Sequence, residues 1–210
     1  IPDIATGRAA NLENKRVLFV GTDMAVGKMT AGLELYSWLQ KEKVNVGFVA
    51  TGQIGITITG KGIPLDAFKV DHACGAVEQV VMEQADKEIV LIEGQGSLLH
   101  PGSTATLPLM RGSCPTHLIL CLRAEKTTLR SPEHIKIPDL NDFIALNESL
   151  ATVGGTFPKA KVIGIAANTS MLSLEDAEIY LKKTAEKTGI LVTDPVRFGI
   201  DSIGKHIASS

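Results

Sequence analysis

The chain has 210 residues, of which 44% are hydrophobic and 21% are charged, and its formal net charge is −2. This length suffices for one α/β domain with a sizeable core. The near-neutral charge and an aromatic content of 4% argue against a basic, base-stacking surface for nucleic acid. The sequence contains no apolar run of the roughly 18 residues that predict a membrane span. We therefore expect neither nucleic acid nor a membrane as a partner.

Cysteine usage bears on the compartment. Cys74, Cys114 and Cys121 lack C-x-x-C spacing, and their odd number is unlike a disulfide framework. Free thiols are typical of a reducing cytoplasm, and no signal peptide precedes the first predicted strand. The sequence therefore predicts a cytoplasmic protein. Because the chain begins at Ile1 rather than Met, we also expect that an N-terminal domain is absent from it.

Apolar runs rich in β-branched residues alternate with amphipathic runs, as in parallel βαβ units. The predicted strands are residues 16–20, 45–50, 89–93, 117–122, 161–166 and, more weakly, 190–193. The predicted helices are residues 27–42, 71–87, 139–152, 173–188 and 200–208. Segments 94–116 and 123–138 are rich in turn-forming residues, which predicts irregular structure that is either functional or mobile. The pattern predicts a single α/β domain, with a mostly parallel sheet flanked by helices.

The stretch VLFVGTDMAVGKMT, residues 17–30, joins the first predicted strand to the first helix. A strand, a glycine-rich turn and a Gly-Lys pair that opens a helix predict a phosphate-binding loop, because turn and helix N–H groups bind the anion. Five residues, rather than the usual four, separate Gly21 from Gly27, and Met29 replaces the usual Mg²⁺-binding hydroxyl. A solvated lysine on an ordinary turn is the alternative. The predicted nucleotide-binding residues are Gly21, Thr22, Asp23, Val26, Gly27, Lys28, Met29 and Thr30.

Polar side chains follow other predicted strands, at the strand ends where open α/β sheets bind ligands. Uncharged groups there suit a substrate carboxylate or amide, although each also fits an ordinary turn. The candidate substrate-binding residues are Thr51, Gln53, Gln95 and Ser97. Asn168 ends the fifth strand, where its amide can both donate to and accept from a purine edge, and residues 193–199 would border the same pocket.

The two irregular segments offer further candidates for chemistry. His100 is the best-placed histidine for proton transfer because imidazole titrates near neutrality, whereas the alternative is a hydrogen-bonded structural histidine. Arg130 can bind a carboxylate or phosphate through two parallel hydrogen bonds, or can simply be solvated. Glu78 and Glu83 are predicted to lie on the solvated side of a helix.

Two motifs resemble those of dethiobiotin synthetases. GTDMAVGKMT is similar to their first motif, and IVLIEGQGSLLHPG is similar to their Val-Glu-Gly-Ala-Gly-Gly segment. The resemblance implies the same P-loop nucleotide-binding fold. It also implies that Glu93 helps to hold Mg²⁺, that Asp71 is a second metal-associated carboxylate, and that Asn168 reads the nucleotide base. Thr30 would then be the candidate hydroxyl ligand of the metal.

A second resemblance covers nearly the whole chain. GTDMAVGKMT, FVATGQIGI, IEGQGSLLHPG, ALNE, IAANTS and DPVRFG together resemble the P-loop domain of a family long described as a domain of unknown function. That family includes D-glutamate N-acetyltransferases, and Lys-Met-Thr is normal in its loop. The resemblance implies acetyl-CoA as the cofactor, a small acidic amino acid as the substrate, and an additional N-terminal Rossmann-like domain.

Three functions remain open. In acetyl transfer from acetyl-CoA, the loop and Lys28 would bind the CoA phosphates, Arg130 a substrate carboxylate, and His100 would act as base. In phosphoryl transfer from Mg²⁺–ATP to a small carboxylate, Lys28 and the metal held by Glu93 would neutralise the γ-phosphoryl group. A non-catalytic nucleotide-dependent module is the third. We favour acetyl transfer on the family resemblance, and we expect a homo-oligomer.

Overall fold

The computed structural model describes residues 2–209. Six strands form one sheet, and every neighbouring pair is parallel. The strands are β1 (Lys15–Gly21), β2 (Val46–Val49), β3 (Ile89–Ile92), β4 (His117–Arg123), β5 (Lys161–Asn168) and β6 (Leu191–Thr193). Their order across the sheet is β2-β3-β1-β4-β5-β6. The predicted parallel α/β architecture is confirmed.

Helices cover both faces of the sheet. The α-helices of the described residues are α1 (Lys28–Lys41), α2 (Gln53–Thr59), α3 (Val70–Met82), α4 (Thr106–Ser113), α5 (Leu140–Thr152), α6 (Leu174–Thr188) and α7 (Asp201–Ser209). Leu18 and Val20 of β1 contribute to the core under α3, α4, α5 and α6. Val17 and Phe19 contribute to the core under α1 and α7. This alternation buries both faces of the strand, which explains why β1 reads as a continuous apolar run.

Two helices of the structure were not predicted from the sequence. α2 follows β2 at residues that were expected to bind substrate or to form an ordinary turn, and α4 lies inside the segment 94–116, which was predicted to be irregular. Both helices contain residues with low helix propensity: α2 has the sequence QIGITIT, and α4 contains Pro108 and Gly112. Proline is tolerated in a first turn, and Gly112 allows α4 to pack closely on Cys74 and Val77 of α3. Helix α3 ends at Met82 rather than at residue 87.

Within residues 2–209, no helix is long and apolar enough to cross a membrane. At the start of α6, the Ser173 hydroxyl accepts the N–H of Asp176 and caps the helix. Gly189 then ends α6 in a left-handed conformation.

Glu78 on α3 anchors the start of the chain. The prediction that this side chain is solvated is wrong, since it is only 1% exposed. Its carboxylate accepts hydrogen bonds from the Thr6 N–H, from the Arg8 N–H at 2.7 Å and from Arg8 Nε at 3.1 Å. The segment before β1 is therefore fixed along α3 by charge-assisted hydrogen bonds.

We predict that Glu78→Gln destabilises the fold in a pH-dependent way. Burial alone would raise the pKa of Glu78, but the Thr6 and Arg8 donors outweigh it and lower the pKa below its ordinary 4.5. Because the folded-state pKa is the lower one, the carboxylate stabilises the fold above pH 4.5, and this is lost as the pH falls through the folded-state pKa. We expect Glu78→Gln to lower the free energy of unfolding by about 1–3 kcal/mol near pH 7.

Urea unfolding of Glu78→Gln, followed by circular dichroism at several pH values, measures this effect. The difference from the unsubstituted chain should shrink in acid, and Glu83→Gln, at an exposed carboxylate beside the end of α3, should change little. Equal unfolding curves for Glu78→Gln and Glu83→Gln would contradict the anchoring role.

Candidate functional site

The parallel sheet brings the carboxyl ends of all six strands to one edge. Two cavities lie along this edge: a cleft of about 1060 Å³ and a smaller pocket of about 170 Å³. Gly27 and Thr30 line both of them. The start of α1 therefore stands where the cleft and the pocket meet.

The phosphate loop occupies this junction. Gly27 precedes α1 with a φ of 106°, a left-handed conformation that suits glycine. The first N–H groups of α1 have no acceptor within the helix, so they can bind an anion. Lys28 is buried, and its Nζ donates to the Asp23 carbonyl oxygen at 2.9 Å. Burial lowers the pKa of Lys28, against the opposing effects of Cys121, Asp23 and Glu93, and a bound anion would stabilise the ammonium further.

Two loop residues predicted to bind nucleotide, Thr22 and Asp23, form hydrogen bonds that hold the loop in place. Thr22 N–H donates to the Cys121 carbonyl at 3.1 Å. The buried Asp23 carboxylate accepts the N–H of Met24 through Oδ1 and that of Arg130 through Oδ2, each at 2.7 Å. Neither side chain lines a cavity, whereas the other members of the motif do: Val26, Gly27, Lys28, Met29 and Thr30. Gly21 lies beneath them at the end of β1.

Glu93 directly follows β3, and its carboxylate binds the backbone just before α2. Its Oε2 accepts the N–H groups of Thr51 at 2.8 Å and Gly52 at 3.1 Å, just before α2 begins. A side chain at Gly55 would collide with the same oxygen, so α2 can approach only because that residue is glycine. Oε1 accepts one long bond, 3.3 Å, from the Gln95 amide. This oxygen therefore keeps acceptor capacity in a cleft that Glu93 lines.

Three of the four predicted substrate-binding residues, Thr51, Gln53 and Gln95, line the cleft. Ser97 does not; its buried hydroxyl accepts the N–H of Leu99 at 3.2 Å. Asp66 lines the cleft and was missed, because it follows no strand and belongs to no recognisable motif.

The structure does not bring His100, Arg130 or Asp71 into the walls of the cleft or the pocket. His100 Nε2 donates to the Ser131 carbonyl oxygen at 2.6 Å, and Nδ1 accepts the Gly102 N–H at 3.1 Å. This histidine thus joins the two long segments that were predicted to be irregular. The Arg130 and Asp71 side chains are exposed.

The residues in the cleft fit a magnesium ion that phosphate oxygens also bind. In residues 2–209, no three His, Cys, Asp or Glu side chains cluster in a way that could hold a metal by themselves. Mg²⁺ does not require such a cluster, since it commonly uses one or two protein oxygens together with phosphates and water. Thr30 and Glu93 line the same cleft and are the residues that would hold it.

The smaller pocket is built by two loops that Asp194 ties together. Its carboxylate accepts the N–H and hydroxyl of Thr169, at 2.9 and 2.6 Å, and the N–H groups of Val196 and Arg197, at 3.0 and 3.2 Å. Asn168 lines this pocket together with Val26, Ala31, Ala166, Pro195 and Val196. The wall is mostly apolar, with polar residues that include Ser170, Asp194 and Arg197, and such a pocket suits a flat heterocyclic base.

A family model described as "Domain of unknown function (DUF1611_C) P-loop domain" matches residues 3–204. The chain belongs to this family. The chain also matches proteins named D-glutamate N-acetyltransferase from Pseudoalteromonas sp, with 37% identity over 200 residues, and from Tritonibacter scottomollicae, with 39% identity over 196 residues. These matches cover 95% and 93% of this chain.

A solved structure supports the family assignment. The crystal structure of a DUF1611 family protein from Anabaena variabilis is 47% identical, with a TM-score of 0.97, and the match covers 100% of this chain and 62% of that one. The matches cover 60% and 58% of the two curated relatives. The chain thus spans about three fifths of the length of these family members.

We predict that Asp194→Asn loosens the two loops around the smaller pocket. Burial alone would raise the pKa of Asp194, but the Thr169, Arg197 and Val196 donors outweigh it and lower the pKa. Asparagine offers one acceptor oxygen in place of two, so some of these donors lose their partner. We expect a loss of about 1–3 kcal/mol in the free energy of unfolding near pH 7.

Hydrogen exchange reports where this loosening occurs. The amides of Thr169, Val196 and Arg197 should exchange faster in Asp194→Asn, whereas those of β1 should change less. Glu178→Gln, at an exposed carboxylate on α6, is the matched control. Unchanged exchange at all three amides would contradict this role for Asp194.

Proposed function

We propose that this P-loop domain transfers an acetyl group from acetyl-CoA to the amino group of a small acidic amino acid, with D-glutamate as the acceptor. The names of the two curated relatives support this reaction. The observation that carries the proposal is the continuous path from the smaller pocket, across Gly27 and Thr30, into the larger cleft. A nucleotide with a long reactive arm fits such a path.

The ADP portion of CoA would follow the first half of this path. Its base would enter the pocket beside Asn168, and its phosphates would bind Lys28 and the first N–H groups of α1. An ammonium and a helix N-terminus both favour negative charge, and burial strengthens their effect. The smaller pocket is mostly apolar, which suits a stacked base better than a charged group.

The larger cleft would take the acyl-bearing arm. Beyond the phosphate loop it is walled partly by apolar side chains, among them Ile54, Leu65, Phe68 and Pro108. A cleft of about 1060 Å³ is large for a triphosphate alone. Its volume and apolar walls favour a ligand that continues past the phosphates.

Glu93 is the group best placed to receive the proton of the attacking amine. The acceptor ammonium would give one proton to Glu93, and its nitrogen would form a C–N bond with the thioester carbon. The C–S bond would then break, and the departing CoA thiolate would take the second nitrogen proton. We prefer Glu93 to His100, because both ring nitrogens of His100 are engaged outside the cleft.

Phosphoryl transfer from Mg²⁺–ATP is the second candidate. Thr30, Glu93 and Lys28 line the same cleft, and a hydroxyl, a carboxylate and a lysine are the kinds of group that hold a metal-bound triphosphate in P-loop enzymes. Mg²⁺ would supply charge neutralisation at the transferred phosphoryl group. In this case Glu93 would serve as a metal ligand and not as a base.

We predict that Lys28→Ala weakens acetyl-CoA binding at least about tenfold, because the CoA phosphates lose a buried cation. Calorimetric titration with acetyl-CoA and, separately, with Mg²⁺–ATP measures the effect. Lys41→Ala, at the exposed last residue of α1, is the matched control and should bind normally. Tight Mg²⁺-dependent ATP binding with no acetyl-CoA binding would reject acetyl transfer in favour of the second candidate.

We predict that Glu93→Gln lowers kcat for acetyl transfer by about 10²–10⁴-fold, the usual contribution of a positioned base. Glutamine keeps one carbonyl oxygen for the Thr51 and Gly52 N–H groups but cannot accept the proton. Acetyl-CoA affinity should therefore change little. Steady-state kinetics with D-glutamate measures kcat, and Glu88→Gln, an exposed glutamate just before β3, is the control.

Asp66→Asn tests which of the two carboxylates in the cleft, Asp66 or Glu93, acts as the base. If Asp66→Asn lost kcat while Glu93→Gln kept it, the base would be Asp66. If both variants kept kcat, neither carboxylate would be the base, and His100→Gln would be tested next.

A further inference from the structure

The charges of the cleft do not match an acidic acceptor. Among the cleft-lining residues that the structure describes, Lys28 is the only cation, whereas Asp66 and Glu93 are carboxylates. Lys28 is buried at the phosphate loop and would already serve the nucleotide. If the proposed function holds, the two carboxylates of D-glutamate would therefore enter a cleft that offers them no free cationic partner. Recognition of carboxylates ordinarily uses arginine or lysine.

The amino-terminal segment of the chain runs from the cleft to the far edge of the sheet. The Pro2 carbonyl oxygen lies 2.7 Å from His72 Nδ1, next to the cleft-lining Ala73 in the first turn of α3. Further along, the Asp3 carbonyl packs against Gly75, and Glu78 holds Thr6 and Arg8. β1 then begins at Lys15, at the opposite edge.

The two ends of the described chain consequently lie at opposite edges. Lys15 Nζ donates to the Ile207 carbonyl oxygen at 2.7 Å, which places the last turn of α7 beside the start of β1. A polypeptide joined before Pro2 would emerge beside the cleft, and one joined after α7 would emerge away from it. The hydrogen bonds of Glu78 fix the direction in which the chain reaches the cleft.

The rim of the cleft beside this point carries an exposed apolar surface. Ile54 and Ile58 lie one helical turn apart on α2 and are 63% and 58% exposed. Ile54 also lines the cleft, so the pair forms an apolar surface at its edge on which another structural unit can pack. Family members have the chain length for such a unit, since this chain spans only 58% to 62% of them.

We propose that, in the longer family proteins, the additional portion precedes this domain, packs on α2 and the start of α3, and supplies the cationic side chains that bind the carboxylates of the acceptor. This inference rests on the proposed function. It assigns the nucleotide to the P-loop domain and the selectivity for an acidic acceptor to the junction between the two portions.

The test compares the 210-residue chain with a form that also carries the additional portion of the longer family proteins. Acetyl-CoA binding is measured by calorimetry, and acetylation is measured with D-glutamate and with D-alanine, which lacks the side-chain carboxylate. We expect both proteins to bind acetyl-CoA through Lys28. We expect only the longer one to prefer D-glutamate, by at least about 100-fold in kcat/KM.

The outcomes distinguish this proposal from the proposed function. If the 210-residue chain alone prefers D-glutamate as strongly, the inference is overturned and acetyl transfer stands. If neither protein binds acetyl-CoA, the proposed function itself fails.

A pair of surface variants keeps the test independent of whether the 210-residue chain is active alone. In the longer form, Ile58→Asp should raise KM for D-glutamate about tenfold or more and leave acetyl-CoA affinity unchanged, because it puts a charge into a covered apolar contact. Ile179→Asp, at an exposed isoleucine of α6, should do neither. Equal KM values for the two variants would contradict packing on α2.

Discussion

The parallel direction of all six strands is the constraint on which the site depends. Parallel strands need crossover helices, so every loop that leaves a strand end leads over the same edge of the sheet. The phosphate loop after β1, the turn before α2 and the loop after β6 meet there although they are far apart in sequence. The sheet itself is almost wholly apolar and does no chemistry.

Three buried carboxylates hold these loops in fixed positions relative to one another. Asp23 joins the phosphate loop to the segment at Arg130, Glu93 joins β3 to the start of α2, and Asp194 joins the two loops of the smaller pocket. Each accepts backbone N–H groups, so each satisfies donors that burial would otherwise leave unpaired. A charged group is costly to bury, and the bonds that offset this cost are the same ones that hold the loops together.

The sequence predicts those features that local pattern determines. The first five strands were found because a buried strand is a largely continuous apolar run, whereas the short and partly exposed β6 was predicted only weakly. The phosphate loop was found because its anion site is built from consecutive residues. α4 was missed because Pro108 and Gly112 lower helix propensity, while tertiary packing on α3 decides the outcome. The surroundings of His100 and the burial of Glu78 depend on partners about 30 and 70 residues away, and local pattern carries no information about those contacts.

Phosphate recognition and acceptor recognition place different demands on the fold. A phosphate is bound by helix N–H groups and one lysine, all of which a single strand–loop–helix unit provides. A flexible dicarboxylate needs separated cations, and the walls of the larger cleft provide Lys28 alone among the described residues. A P-loop domain can therefore keep its nucleotide site unchanged while the acceptor changes with whatever structure covers the cleft.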